Sequence, residues 1–116
     1  RAIQMFMPGK PQIWYLDLFA GKNDHEAVQR AGESGHKEIN RTNLSVDQIA
    51  EGLKKDVVQK QLALIRMRNT HKAFSEGAEV TISGEESSLE IRWEYDGAYA
   101  ELHVNFEEGT YTIESN

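Results

Sequence analysis

The chain has 116 residues, a formal net charge of −6 and a pI near 5.2, enough for one ordinary domain or for a small domain with part of another. The acidic balance disfavours a polyanionic partner such as nucleic acid, and the absence of cysteine excludes a disulfide framework and a thiolate metal site. No apolar stretch approaches the roughly 20 residues of a transmembrane helix. We therefore expect a soluble protein with no membrane partner, and the cytoplasm as its compartment.

The first predicted element is a strand near the N-terminus. Pro8-Gly9 followed by Pro11 predicts a turn, and the run Gln-Ile-Trp-Tyr-Leu at residues 12–16 is rich in β-branched and aromatic residues. A strand buried on both faces, as in a parallel sheet, has a sequence of this kind. The chain begins at Arg1 and runs directly into apolar residues, so we expect it to be part of a longer protein.

Short helices and one long loop are predicted next. Asp24 is placed to cap a short helix that Gly32 would end. Residues 32–44 are polar and irregular, and a loop of that length in a compact domain is usually functional. Ser45 and Gln48 then form a capping-box pattern at the start of another short helix.

A longer helix follows, for which Asp56 is the predicted cap. Apolar residues recur at helical spacing from residue 58 onward, and Gly77 is the predicted end of this segment. From residue 78 the hydrophobic period changes from helical to two, which indicates strands.

The last 40 residues predict a four-stranded meander with one apolar face. Asp96-Gly97 is a strong hairpin signal between two alternating runs, and Glu108-Gly109 indicates the next turn. Trp93 and Tyr95 share the apolar face, which favours core packing over a platform that stacks on sugars. Such a sheet needs a helix or a second sheet against its apolar face.

Four segments resemble, in the same order along the chain, C-terminal segments of the α-amylase superfamily of glycoside hydrolases and transglycosylases. Residues 6–15, with Pro8, Gly9, Pro11 and Tyr15, resemble the last barrel strand of that superfamily. The Ala-Gly-Lys-Asn-Asp segment at 20–24 and the Glu-Ile-Asn-Arg segment at 38–41 resemble its sucrose phosphorylase subfamily. The helical segment at 62–74, ending in Ala-Phe, resembles the closing barrel helix.

The resemblance implies an α+β fragment. Residues 1–76 would be the last strand and helices of a (β/α)8 barrel, and residues 77–116 a small antiparallel β-sheet C-terminal domain. A complete barrel takes roughly 250 residues, so the chain would hold only the family's last quarter.

The implied activity belongs to the parent protein, a sucrose phosphorylase-like retaining glucosyltransferase. It would convert sucrose and inorganic phosphate to α-glucose 1-phosphate and fructose by double displacement. The family's catalytic carboxylates precede this segment, so we expect no catalytic residue here and an inactive isolated chain. No metal or organic cofactor is implied.

Arg41 is the first candidate for substrate binding, with Asn40 and Asp24 beside it. In the family, the arginine of the Ile-Asn-Arg segment reaches the glucose subsite, and a guanidinium fork suits sugar hydroxyls and carboxylates. The alternatives are a solvated loop arginine, a loop-shaping asparagine and a helix-capping aspartate.

Two questions stay open at this point. Thr42-Asn43-Leu44 stands where the family usually has His-Tyr-Tyr, so a sucrose 6′-phosphate or glucosylglycerate phosphorylase, a hydrolase or a transglucosidase all fit. The competing class is a non-catalytic module that binds carbohydrate or protein. The apolar run at 2–16 has no obvious partner in so small a module, and we expect the isolated chain to self-associate because bare strand edges invite pairing.

Overall fold

A computed structural model describes residues 1–116. By internal contacts the chain forms two compact units, residues 1–11 together with 62–116, and residues 12–61. We call them the sheet unit and the loop unit. The domain boundary expected after residue 76 stays a prediction. None of the helices combines the length and the apolar character needed to cross a membrane.

The sheet unit contains one four-stranded antiparallel sheet with the strands in sequence order, as the alternating pattern predicted. Asp96 and Gly97 form the turn between the second and third strands with φ values of 47° and 76°, a conformation that aspartate and glycine adopt more readily than other residues. The strands are β1 (Glu79–Glu85), β2 (Ser88–Tyr95), β3 (Ala98–Asn105) and β4 (Thr110–Ser115).

The core of the sheet unit lies where a short helix, α1 (Ala2–Phe6), packs on β2 and β3. Ile91 and Leu102 face each other across these strands and are fully buried. Phe6 is 1% exposed, and its backbone oxygen accepts a hydrogen bond of 2.6 Å from the indole Nε1 of Trp93. The prediction that Trp93 belongs to the core is confirmed.

The longest helix, α5, begins at Asp56, which is its first residue rather than the predicted cap. It runs over Asp56–Thr70, and a 3-10 turn at Lys72–Phe74 follows it. The regular helix therefore ends before the predicted Gly77. The ring Nδ1 of His71 accepts a hydrogen bond from the Ala73 amide, which caps the 3-10 turn instead of continuing the helix.

The loop unit is built from short helical segments, two of which begin at the caps that the sequence predicted. The carboxylate of Asp24 accepts from the Ala27 amide at 2.8 Å, and Ser45 and Gln48 form the complete capping box. The segments are α2 (Tyr15–Leu18), α3 (His25–Ala31), a 3-10 helix (Gly32–Asn40), α4 (Val46–Gly52) and the first turns of α5.

Two local predictions are wrong. Residues 12–16 form no strand, because the loop unit to which they belong contains no other strand for them to pair with. A helical turn satisfies its backbone instead, with the Leu18 amide 3.0 Å from the Trp14 oxygen. Residues 32–40, predicted as irregular, form the 3-10 helix, while 41–45 are indeed without regular structure.

Candidate functional site

The loop unit contains an open cleft of about 410 Å³, which we call the loop cleft. Of the three predicted substrate-binding residues, Asp24 and Arg41 line it, whereas Asn40 does not. Two basic and two acidic side chains face this space, so it suits a polar ligand that both accepts and donates hydrogen bonds. The lining residues are Asp24, Ala27, Arg30, Ala31, Glu38, Arg41 and Asn43.

Arg41 follows directly on the 3-10 helix. Its amide donates to the Glu38 backbone oxygen, and its guanidinium lies 3.1 Å from the Glu38 carboxylate. The Arg41 side chain is 51% exposed, and an exposed ion pair of this kind is worth about 1 kcal/mol or less. A ligand can therefore take over the guanidinium at little cost.

Asp24 has two structural tasks in addition to its place in the cleft. One carboxylate oxygen caps α3, and the other lies 3.8 Å from the Arg30 guanidinium. Its amide donates to the Ile39 oxygen at 2.7 Å and so connects α3 to the end of the 3-10 helix. The capping interpretation of Asp24 is thus confirmed, and its contact with substrate stays a prediction.

Two aromatic side chains hold the backbone around Arg41. The indole Nε1 of Trp14 donates to the Asn40 oxygen at 2.7 Å, and the hydroxyl of Tyr15 donates to the Thr42 oxygen at 2.8 Å. The role of Asn40 in this structure is therefore carried by its main chain. Sequence reasoning missed Trp14 and Tyr15, because their partners lie 26 and 27 residues away and no spacing rule connects them.

The sheet unit holds a partly buried cation that sequence reasoning also missed. The guanidinium of Arg68 lies 4.1 Å from the ring centroid of Trp93 and 4.7 Å from that of Phe74. Its Nη2 donates to the Gly9 oxygen at 2.9 Å. Burial lowers the pKa of Arg68 from its ordinary value, because it removes water from the charged group. These contacts make Arg68 a structural residue of the sheet unit.

The outer face of the sheet carries the one group of side chains with metal-ligand chemistry. Single ligand atoms of Glu90, Glu101 and His103 lie within 4.8 Å of one another. Arg92, however, donates to Glu101 at 3.0 Å and also to Glu94, and the hydrogen bond to Glu94, followed by the one to Glu101, raises the pKa of Arg92. A cation already pairs with one of the three candidate ligands, so the geometry favours an ion-pair network over a metal centre.

No protein-family model matches the chain. Among curated proteins, the chain is 49% identical over 113 residues to a sucrose 6(F)-phosphate phosphorylase of Ilumatobacter coccineus, covering 97% of this chain and 21% of the relative. It is 38% identical over 113 residues to a sucrose phosphorylase of Agrobacterium vitis, covering 97% of this chain and 22% of the relative. The chain thus spans about a fifth of the length of the curated relatives it matches.

A solved structure agrees in fold as well as in sequence. The crystal structure of a sucrose 6F-phosphate phosphorylase from Thermoanaerobacter thermosaccharolyticum superposes with a TM-score of 0.89 at 40% identity. The match covers 99% of this chain and 23% of that protein. The architecture described above is therefore one that occurs within a much longer protein.

Proposed function

The chain belongs to the sucrose phosphorylase family and corresponds to the C-terminal part of its members. We propose that it forms the C-terminal part of a longer glycoside phosphorylase. The observation that carries this proposal is the match over 97% of the chain at 49% identity. Residues 1–76 would complete the catalytic barrel of that enzyme, and residues 77–116 would form its C-terminal β domain.

The proposed reaction is a retaining phosphorolysis. An upstream carboxylate would attack the glucosyl carbon, an upstream acid would protonate the leaving oxygen, and phosphate would release α-glucose 1-phosphate. In the loop cleft of this chain, Glu38 is ion-paired with Arg41, and Asp24 is occupied as a helix cap. The isolated chain would accordingly be inactive, and the complete enzyme would act in the cytoplasm.

The loop cleft is the proposed contribution of this chain to substrate binding. Arg41 would donate to sugar hydroxyls from its exposed guanidinium, with Asp24 in the same lining and Asn40 next to Arg41 in the chain. The support is geometric, since Asp24 and Arg41 line one open space and Arg41 is held only by a weak exposed ion pair.

Sucrose and sucrose 6′-phosphate are the two proposed substrates, with inorganic phosphate as co-substrate. The sucrose 6(F)-phosphate phosphorylase of Ilumatobacter coccineus is 49% identical to this chain over 113 residues, against 38% over 113 residues for the sucrose phosphorylase of Agrobacterium vitis. This difference favours the phosphorylated sugar as the first substrate to test.

The deciding assay is phosphate-dependent release of glucose 1-phosphate by the full-length protein, with sucrose and sucrose 6′-phosphate offered separately. Release by the full-length protein, and none by residues 1–116 alone, would support the proposal. Absence of release from either sugar and from other glucosides would leave a non-catalytic binding module as the better interpretation.

Self-association of the isolated chain is a further proposal. Several large apolar side chains of the sheet unit are about half exposed, among them Ile82, Phe106 and Tyr111. Both edge strands, β1 and β4, also have one unpaired side. Sedimentation of residues 1–116 at increasing concentration would test it, and a monomer throughout would contradict it.

Arg41→Ala in the full-length protein tests the loop cleft. We expect kcat/KM to fall about 10- to 100-fold, the usual consequence of losing a hydrogen bond from a charged donor to the substrate. The matched control is Lys37→Ala, which removes an exposed cation from the same 3-10 helix and should leave kcat/KM unchanged. Equal kinetics for both variants would remove Arg41 from the site.

A further inference from the structure

We propose that Trp14 and Tyr15 are positioning residues for Arg41, which fix the main chain on both sides of it and so direct its guanidinium into the loop cleft. The role of Arg41 in substrate binding rests on the proposed function. The positioning itself is a property of the loop unit and can be measured without any substrate.

Arg41 needs such support because no regular structure holds it. Its φ of −113° and ψ of 28° lie outside both helix and strand. Residues 41–45, which follow the end of the 3-10 helix, have no regular secondary structure. The hydrogen bond from the Arg41 amide to the Glu38 oxygen fixes the main chain on one side of Arg41 only. The direction of the side chain therefore depends on what holds the neighbouring peptide groups.

The two aromatic donors supply that support from one place in the chain. Trp14 donates to the residue before Arg41, and Tyr15 donates to the residue after it, at 2.7 and 2.8 Å. Their rings pack against each other with centroids 5.1 Å apart. Each side chain has only two rotatable bonds, so holding a backbone oxygen costs it little conformational entropy.

The exposure of Trp14 supports a role beyond packing. Its side chain is 44% exposed, whereas the tryptophan of the sheet unit, Trp93, is 7% exposed. The contact that fixes Trp14 at this position is its N–H, which can only donate. The Tyr15 hydroxyl likewise meets a backbone oxygen in a partly buried setting.

Two further hydrogen bonds connect residues 39–42, the Arg41 segment, to the loop before α3. The Asp24 amide donates to the Ile39 oxygen, and the Thr42 hydroxyl donates to the Lys22 oxygen at 3.1 Å. Residues 39, 40 and 42 are thus each held from outside the segment. Only Trp14 and Tyr15 can be changed here without touching the Arg41 segment or the cap of α3.

Hydrogen exchange in the full-length protein is the first test. Tyr15→Phe keeps the ring and removes only the hydroxyl, and we expect the Arg41 amide to exchange about fivefold faster, with a further gain in the Trp14→Phe, Tyr15→Phe double variant. The control is Tyr111→Phe, which removes an exposed hydroxyl from β4 and should leave Arg41 exchange unchanged. Unchanged exchange in both the Tyr15→Phe and the double variant would overturn the proposal.

A double-mutant cycle then separates positioning from general stability. Tyr15→Phe should lower kcat/KM about fivefold when Arg41 is present and by less than twofold when Arg41 is already alanine, because the hydroxyl acts through Arg41. Equal losses in both backgrounds would also overturn the proposal. If the full-length protein releases no glucose 1-phosphate, the proposed function fails, and the exchange result alone still decides the positioning.

Discussion

Arg68 shows how a charged residue can become part of a core. Its guanidinium lies against Trp93 and Phe74, and one nitrogen donates to the Gly9 oxygen, while the buried Nη1 has no hydrogen-bond partner. Burial costs solvation, as the lowered pKa of Arg68 indicates. The two ring contacts and the hydrogen bond offset that cost, because cation–π attraction strengthens when water is removed.

Arg68→Gln should therefore lower the free energy of unfolding by about 2 kcal/mol, the combined loss of a ring-stacked cation and a charged hydrogen bond. Urea titration followed by circular dichroism measures this. Arg66→Gln, an exposed position on the same helix, is the matched control and should change stability by less than about 0.5 kcal/mol. Indistinguishable midpoints for the two variants would contradict the structural role of Arg68.

The residues of the loop cleft were only partly predictable. Asp24 and Arg41 were found because each belongs to a short local pattern, a helix cap and an Ile-Asn-Arg segment. The sequence pattern around Trp14 and Tyr15 instead predicts an apolar strand. Their hydrogen bonds join residues 26 and 27 positions apart, and single-sequence patterns carry no information on such distant pairs.

Among the elements, those with self-contained signals were predicted correctly. The Ser45 capping box, the Asp24 cap and the Asp96-Gly97 hairpin each depend on residues within a few positions, and the structure contains all three. Period-two alternation likewise predicted the meander, because one face of the sheet is buried and the other is in water.

The strand predicted at residues 12–16 is wrong, because the conformation of a strand depends on the strands beside it. The composition of residues 12–16 favours a strand, but a strand is stable only beside another one, and the loop unit contains no other strand. Tyr15–Leu18 form a helical turn, and Trp14 is left 44% exposed. Composition predicts the preference of a segment, whereas pairing decides its structure.

The 3-10 turn after α5 and the β2–β3 hairpin are connected by one ion pair. The Lys72 ammonium donates to the Asp96 carboxylate, and this hydrogen bond lowers the pKa of Asp96 below its ordinary value of 3.8. A carboxyl with a lowered folded pKa stabilises the fold above its unfolded pKa, and that contribution disappears as the pH falls through the folded value.

Lys72→Met should thus raise the pKa of Asp96 towards its ordinary value, as measured by NMR titration of the carboxyl carbon. The stability difference between wild type and variant should be present at neutral pH and vanish below the lowered pKa of Asp96. Lys54→Met is the control, since Lys54 pairs with Glu51 and should leave Asp96 unchanged. An Asp96 pKa that does not move would exclude the ion pair in solution.

At the scale of the whole molecule, the stability of the sheet depends on how well its apolar face is covered. Leu102 is fully buried, and it faces Ile91 on the neighbouring strand, whereas Ile82 in the same row of the sheet is 47% exposed. The row therefore runs from a closed core to an open edge. Truncation of a buried and of an exposed member of this row should have different costs.

Leu102→Ala should lower the free energy of unfolding by about 2–4 kcal/mol, because it removes buried methyl groups and leaves a cavity. Ile82→Ala should cost less than about 1 kcal/mol, since half of that side chain is already in water. Hydrogen exchange of the β3 amides measures the stability of the sheet unit by itself. Equal costs would mean that the open end of the row is covered in solution.

The hydrogen bond between Trp93 and Phe6 also bears on how the protein is made. Its partners are 87 residues apart, so the ribosome delivers α1 long before the sheet that covers it. At roughly 5–20 residues per second, α1 waits about 4–17 s with Met5 and Phe6 uncovered. During synthesis, α1 therefore stays a target for chaperones for a period that ends only when translation has reached Trp93 in β2.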